Sequence, residues 1–438
     1  IGKSVIEVRY VGSYAKNLLR GADFNQVEIR SNGFLDDFNR AAANLALTGN
    51  AFCTTAGCQP LTIFGNTATA RIRVGTAGAG ETPRVSLSTF NAALGGGIVG
   101  AGVPGNLALS ILQVNADFNP NIANGQFPLV PNTNTGVADV LYNGARDYYN
   151  SLQVEFRRRF SQGVSFQANY TFAKNLTDAV GTAQALFDPR LDNANPGLEY
   201  SRADFDQTHA INFNGIYELP FGNGKHFLNQ SGVVDKIFGG FQLSSIVHIG
   251  SGRPVSLVDP RGTLNRSARS TRQTPNSNLT KRQVKDLFGR FLYKGQFQDV
   301  LLYINPSILN ITQTRNAVTG AITTTTLATN GPGQPTFANQ AFFNALPGQT
   351  GNMERAFVNG PRQFTMDAAL VKKIRFTETK LIELRMEAFN LTNHNSNLLP
   401  LQVDINSTTF GQLTTGRSEQ ALGLDSPRRM QFAIRFEF

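Results

Sequence analysis

Hydrophobic and polar residues alternate with a period of two along much of the chain. In residues 151–157 (SLQVEFR), Leu152, Val154 and Phe156 share one face while Gln153, Glu155 and Arg157 share the other. That pattern belongs to an extended strand lying between an apolar and a polar medium. Residues 164–172 (VSFQANYTF) repeat it, with Val164, Phe166, Ala168, Tyr170 and Phe172 opposite Ser165, Gln167, Asn169 and Thr171. Between the two runs, Ser161, Gln162 and Gly163 predict a tight hairpin. Further alternating runs occupy residues 3–12, 208–219, 240–250, 363–373, 381–391 and 430–438, with a weaker one at 18–29. Together they predict about nine or more long antiparallel strands. Ten residues at ~3.3 Å each and ~45° tilt climb about 23 Å, close to the ~25 Å apolar band of an outer-membrane barrel. Strands of soluble sandwiches are commonly nearer ~5 or 6 residues.

The connections alternate as well. Short ones are expected at 13–17, 161–163 and 376–380, and long ones at approximately 31–146, 175–206, 252–361 and 392–428, with a medium turn at 219–239. Transmembrane barrels have this asymmetry, with short periplasmic turns and long outside loops. In the first long loop, FLDDFNRAAANLAL sets Phe34, Phe38, Ala42 and Leu45 near helical spacing, and in the third KRQVKDLFGR resembles one more short helix. The expected fold is all-β: residues 1–438 form part of one antiparallel transmembrane β-barrel, whose long extracellular loops carry short helices.

Composition narrows the alternatives. An apolar content of 41% excludes wholesale disorder. With a mean hydropathy of −0.19 and no apolar run of ~18 residues, a helical membrane protein is also excluded. Barrel strands average lipid-facing and lumen-facing residues, so a soluble-looking mean is what a barrel would show. The net charge is +10, and ten basic residues against two carboxylates fall between Arg253 and Lys294. Without zinc-finger spacing or a basic helix joined to heptads, no nucleic-acid partner is expected. The segment reads as a solvated loop in which Arg261, Arg266, Arg269 and Arg272 would meet lipopolysaccharide phosphates or an anionic substrate.

Candidate chemistry is sparse. Cys53 and Cys58 are close enough for a small bridge, worth about 2 kcal/mol by loop entropy and suited to an oxidising compartment. The four histidines are scattered and none flanks this pair, so no metal site is expected. Gly95, Gly97 and Gly100 fit G-x-G-x-x-G with Asp117 beyond, but no strand leads into them, and no cofactor is expected. No G-x-S-x-G, H-E-x-x-H or Walker lysine motif occurs, so the chain does not read as an enzyme. Glu383, Arg385 and Glu387 share a strand face, as do Glu155 and Arg157. A charged lumen wall is the favoured reading over acid-base work.

Several blocks taken as a set carry a resemblance: YNSLQVEFRRRFSQGVSFQANYTFAKNLTDA, DFDQTHAINFNGIYELPFG, FQLSSIVHIGSGRPVSL, ELRMEAFNLTNH and PRRMQFAIRFEF. They resemble the C-terminal part of a TonB-dependent outer-membrane receptor barrel of the Oar-like branch. The ending, with Phe438 terminal and Phe436, Ile434, Phe432 and Met430 on one face, is similar to the signal read by the barrel assembly machinery. It departs in carrying Ala433 where glycine is common, and a chain without Trp must build any aromatic girdle from Phe and Tyr.

The resemblance implies a place among outer-membrane lipid and lipopolysaccharide. It also implies a substrate (small molecule, glycan or peptide) bound outside, and a plug opened by TonB. The plug, the TonB-contacting segment and an N-terminal domain are expected upstream of residue 1. Two other readings compete: a surface adhesion or scaffold barrel that imports nothing, and a soluble all-β secreted protein that would extract without detergent.

Overall fold

The computed structural model describes residues 3–51, 53–61, 99–108, 129–132, 135, 137–179, 188–266, 269–329, 337–377, 379–394, 403–413 and 427–438. Eight long strands follow one another side by side as an antiparallel meander. They are β1 (Ser4–Asp23), β2 (Asp139–Ser161), β3 (Val164–Thr177), β4 (His209–Glu218), β5 (Phe241–Gly250), β6 (Gln363–Arg375), β7 (Leu381–Phe389) and β8 (Arg429–Glu437). The two-residue strand Ser201–Arg202 pairs with β3 off this path, and β1 and β8 stand at its two ends, so the sheet is open.

Register keeps the alternation coherent from strand to strand. One row runs Val8, Val154, Tyr170, Ile211, Ile249 and Phe364 across β1 to β6, and the next runs Glu7, Glu155, Asn169, Asn212, His248 and Thr365. A slip of one residue anywhere would exchange the two faces, so the pattern specifies the pairing. On the far side, Leu370, Met386 and Phe432 align in the apolar set and Lys373, Glu383 and Arg435 in the polar one. Lys372 is an exception on the apolar face. It lies near the short-turn end of β6, where its ammonium reaches the carbonyl of Gly239, so the stem stays in the apolar layer and the charge leaves it.

The β2–β3 hairpin closes as expected at Gln162 (φ 53°) and Gly163 (φ 77°). Two consecutive left-handed residues make the primed turn whose twist matches that of the strands. The short connection expected at 13–17 is absent. Residues 3–12 and 18–29 do not form a hairpin; β1 continues through that stretch for 20 residues. Asn17 (φ 58°) lies at a bulge where the register with β2 shifts between Ala15 and Leu19. Asn tolerates the left-handed region in a turn or in a bulge, and the length of β2 decided for the bulge by giving β1 a partner as far as Asp23.

The apolar face is accessible, half-buried in the middle strands at Val154, Phe166 and Leu370 and exposed on the first and last. Phe432 is 70% accessible, and Ile6, Tyr10, Ile434 and Phe436 are comparable. The buried hydrophobic cluster lies elsewhere, in the loops at the opposite end from the short turns. Leu257, Leu302, Ile304, Phe342, Ile405 and Phe410 meet there, drawn from the connections after β5 and after β7. These loops form a folded cap.

Two short hairpins stiffen that cap, Phe288–Tyr293 with Val300–Ile304 and Asn310–Arg315 with Ile322–Leu327. Helix α1 (Phe34–Thr48) buries Phe34, Phe38 and Ala41, and its chain end is followed by the Cys53–Cys58 disulfide, with Cα atoms 6.0 Å apart. Helix α2 (Val233–Phe238) sits in the medium turn, and α3 (Lys281–Asp286) begins with a capping box between Thr280 and Gln283.

If the apolar face of β2 contacts hydrocarbon, single cysteines at Gln153, Glu155 and Arg157 should react with a membrane-impermeant thiol reagent several-fold faster than cysteines at Leu152, Val154 and Phe156. Uniform reactivity would show that both faces meet water.

Candidate functional site

Charge at the sheet's polar face is arranged in two ladders. In the first, Glu155 accepts from Arg9 (3.0 Å) and Gln167 (3.1 Å), and Arg157 approaches Glu7 at 3.8 Å. In the second, Glu383 accepts from Arg385 (3.0 Å) with Lys373 at 3.9 Å, and Arg385 reaches Glu387 at 3.5 Å. Each carboxylate is matched by a cation across or along the strands, which suits a wall that presents polarity.

The densest polar site lies where the strand ends meet the cap. Glu199, buried in the loop after β3, pairs with buried Arg20 of β1 and has Arg355 at 3.7 Å and Arg272 at 4.0 Å. Arg272 also donates to Asp188 at 2.5 Å. Around this carboxylate the atoms Arg20 Nε and Nη1, Arg355 Nε and Nη1, and Glu199 Oε1 find no hydrogen-bond partner among the described residues. Burial pushes the Arg355 guanidinium down to about 10, with nearby Arg272 acting in the same direction and Glu199 opposing it. A cavity of about 600 Å³ opens against Glu199, Arg272 and Arg355. Its chemistry is that of a surplus of guanidinium donors over carboxylates.

Neighbouring ties hold the loops to the sheet. Arg30 grips Asp192 with two bonds of 2.9 Å, and that hydrogen bonding raises its guanidinium above the ordinary value. Arg190 donates to the Tyr142 hydroxyl (2.6 Å) and to the carbonyls of Pro196 (2.8 Å) and Gly144 (3.0 Å). Burial alone would lower Arg190, but the Tyr142 and Asp178 contacts outweigh it and the net direction is up.

The four arginines expected to face lipopolysaccharide or an anionic substrate are engaged inside this structure. Arg261 donates to both oxygens of Asp259 (2.8 and 3.1 Å) and to the carbonyls of Ala101 and Ala345. Arg266 pairs with Asp23, Arg269 with Asp139 at 2.7 Å, and Arg272 with Asp188. These four arginines therefore act as clamps, whereas Lys281, Arg282, Lys285, Arg290 and Lys294 of the same segment are exposed. Local charge counting missed this because three of the four partners lie far off in the chain and reach the segment only when the loops close over the strand ends.

Arg20, Glu199 and Arg355 escaped the sequence reading for the same reason: Arg20 and Glu199 are 179 positions apart, and no local motif links them. Gly95, Gly97 and Asp117 of the glycine-rich motif lie outside the described residues. The residues of the C-terminal signal sit on edge strand β8, where Phe432, Ile434 and Phe436 point to the apolar face and terminal Phe438 is exposed.

Among the described residues no helix is long and apolar enough to cross a membrane. Comparison with curated proteins and with solved structures finds no match. The family model described as "Outer membrane beta barrel domain" matches residues 1–431. With an accessible apolar face carried in register across eight long strands, a polar face behind it and a loop cap at one end, the chain belongs to the outer membrane beta barrel domain family and resides in the bacterial outer membrane.

Proposed function

We propose that the chain is part of the wall of a TonB-dependent transporter of the Oar-like branch, in which the polar face lines the lumen and the cap contacts the substrate. The observation that carries this reading is the buried arginine cluster at Glu199, which places unpaired guanidinium donors beside a cavity where the cap meets the strand ends. Nitrogens left over after the ion pairs to Glu199 are formed are donors that an anionic or carbonyl-bearing ligand in that cavity could use. The resemblance of the NYTF block in β3 and of the EAFNL block at the end of β7 supports the same assignment. In this reading the ladders at Glu155, Arg157, Glu383, Arg385 and Glu387 form the lumen surface. Edge strand β8, through Phe432, Ile434, Phe436 and Phe438, is the segment offered to the barrel assembly machinery, and no catalytic step is assigned.

A substrate-independent test uses the bridging of the native cysteines. A single cysteine replacing Gln167 on the polar face, in the full-length protein in cells, is expected to react with an external thiol reagent faster when the inner membrane is energised and TonB is present. A protonophore or loss of TonB should abolish the difference. Equal labelling in all three conditions would remove active transport and leave the adhesion or scaffold reading.

A further inference from the structure

A second and larger cavity, of about 1080 Å³, lies at the outer rim between the strand ends and the loop that carries α3. Its lower wall includes Phe172, Ile211 and Ile249, which are accessible members of the apolar face. Above them stand Lys174, two positions beyond Phe172 on the same face of β3, then Lys285 of α3, Arg290 of the following hairpin and Arg362 just before β6. All four cationic side chains are exposed. Among the described residues no carboxylate lines the cavity, and Arg202, the fifth cation there, is held by Asp206 at 2.8 Å. Among the described residues Lys174, Lys285 and Arg362 form no ion pair, in contrast with the clamped arginines at 261–272. Tyr303 forms part of the wall, and burial raises its hydroxyl while adjacent Arg290 and Arg362 oppose the rise.

We infer that this niche binds lipopolysaccharide through its lipid A phosphates, with the acyl chains lying along Phe172, Ile211 and Ile249. Two features select a lipid over a water-soluble anion. The apolar wall is continuous with the face that meets hydrocarbon, so a fully hydrated ligand would leave that wall unmatched. The cations are grouped at one level above it, where the head groups of the outer leaflet lie, and a cluster of exposed positive charge attracts phosphates over a Debye length. The inference rests on the outer-membrane location and is independent of the transport reading.

The test is a titration of the detergent-solubilised full chain by native mass spectrometry, with bisphosphorylated lipid A, dephosphorylated lipid A and inorganic phosphate as probes. Bisphosphorylated lipid A is expected to bind at least about tenfold more tightly than the dephosphorylated form. The combined K174Q, K285Q, R290Q and R362Q variant should lose that preference, and the charge-conserving K174R, K285R variant should keep it. Equal binding of both lipid A forms to the unaltered chain would overturn the inference without recourse to any variant. Displacement of lipid A by inorganic phosphate at comparable concentration would overturn it too, because the niche would then be a site for a small anion.

Discussion

Replacing Glu199 with Ala is expected to destabilise the cap by about 3–5 kcal/mol, the range seen when one partner of a buried ion pair is removed. Glu199 is the carboxylate around which Arg20, Arg272 and Arg355 converge, and both it and Arg20 are almost wholly withdrawn from solvent. Without it, Arg20 keeps its charge in a desolvated site with no paired carboxylate, and Arg355 loses the acid closest to it. Glu199→Gln should fall in the same direction, since it keeps the shape but not the charge. Hydrogen exchange across residues 196–206 and 350–358 in the detergent-solubilised protein reads the effect directly, because these segments should lose protection while the β2–β3 hairpin does not. A loss confined to a few tenths of a kcal/mol would mean that Glu199 is hydrated and that the cluster is not the anchor of the cap.

The second large effect concerns the apolar face. Val154 lies in the middle portion of β2, in the row with Val8 and Tyr170. An arginine there should cost about 2–4 kcal/mol of folding free energy in lipid, as expected for a cation at the hydrocarbon midplane. Asn169→Arg, on the polar face directly across from Glu155, should cost close to nothing. Unfolding of the two variants from vesicles, compared with the unaltered chain, separates the faces. Equal destabilisation by both would remove the assignment of the Val154 face to lipid.

Much of the sheet was legible because its rule is local. Side chains of a strand alternate, a membrane has two kinds of surroundings on its wall, and so Leu152 to Arg157 or Val164 to Phe172 state their own conformation. The Ser161 to Gly163 turn and the short helices at Phe34–Thr48 and Lys281–Asp286 were readable on the same ground, since turn residues, capping residues and helical spacing act over a few positions. The interruption at 13–17 misled because Asn17 serves equally in a hairpin and in a bulge, and only the partner strand tells them apart.

The cap was not legible. Its hydrophobic cluster joins Leu302 and Phe342 to Ile405 and Phe410 across a whole intervening hairpin of the sheet. Its ion pairs join Asp23 to Arg266 and Arg20 to Glu199. Amino-acid order alone determined the class of fold, the two-faced character of the strands and the membrane such a wall requires, because these follow from the period of hydrophobicity along each segment. Only the tertiary structure decided which arginines are spent as clamps, which cations remain exposed at the rim and which buried arginines gather around Glu199. Charge neutralisation depends on distances in space, and the loops bring together residues that no spacing along the chain relates.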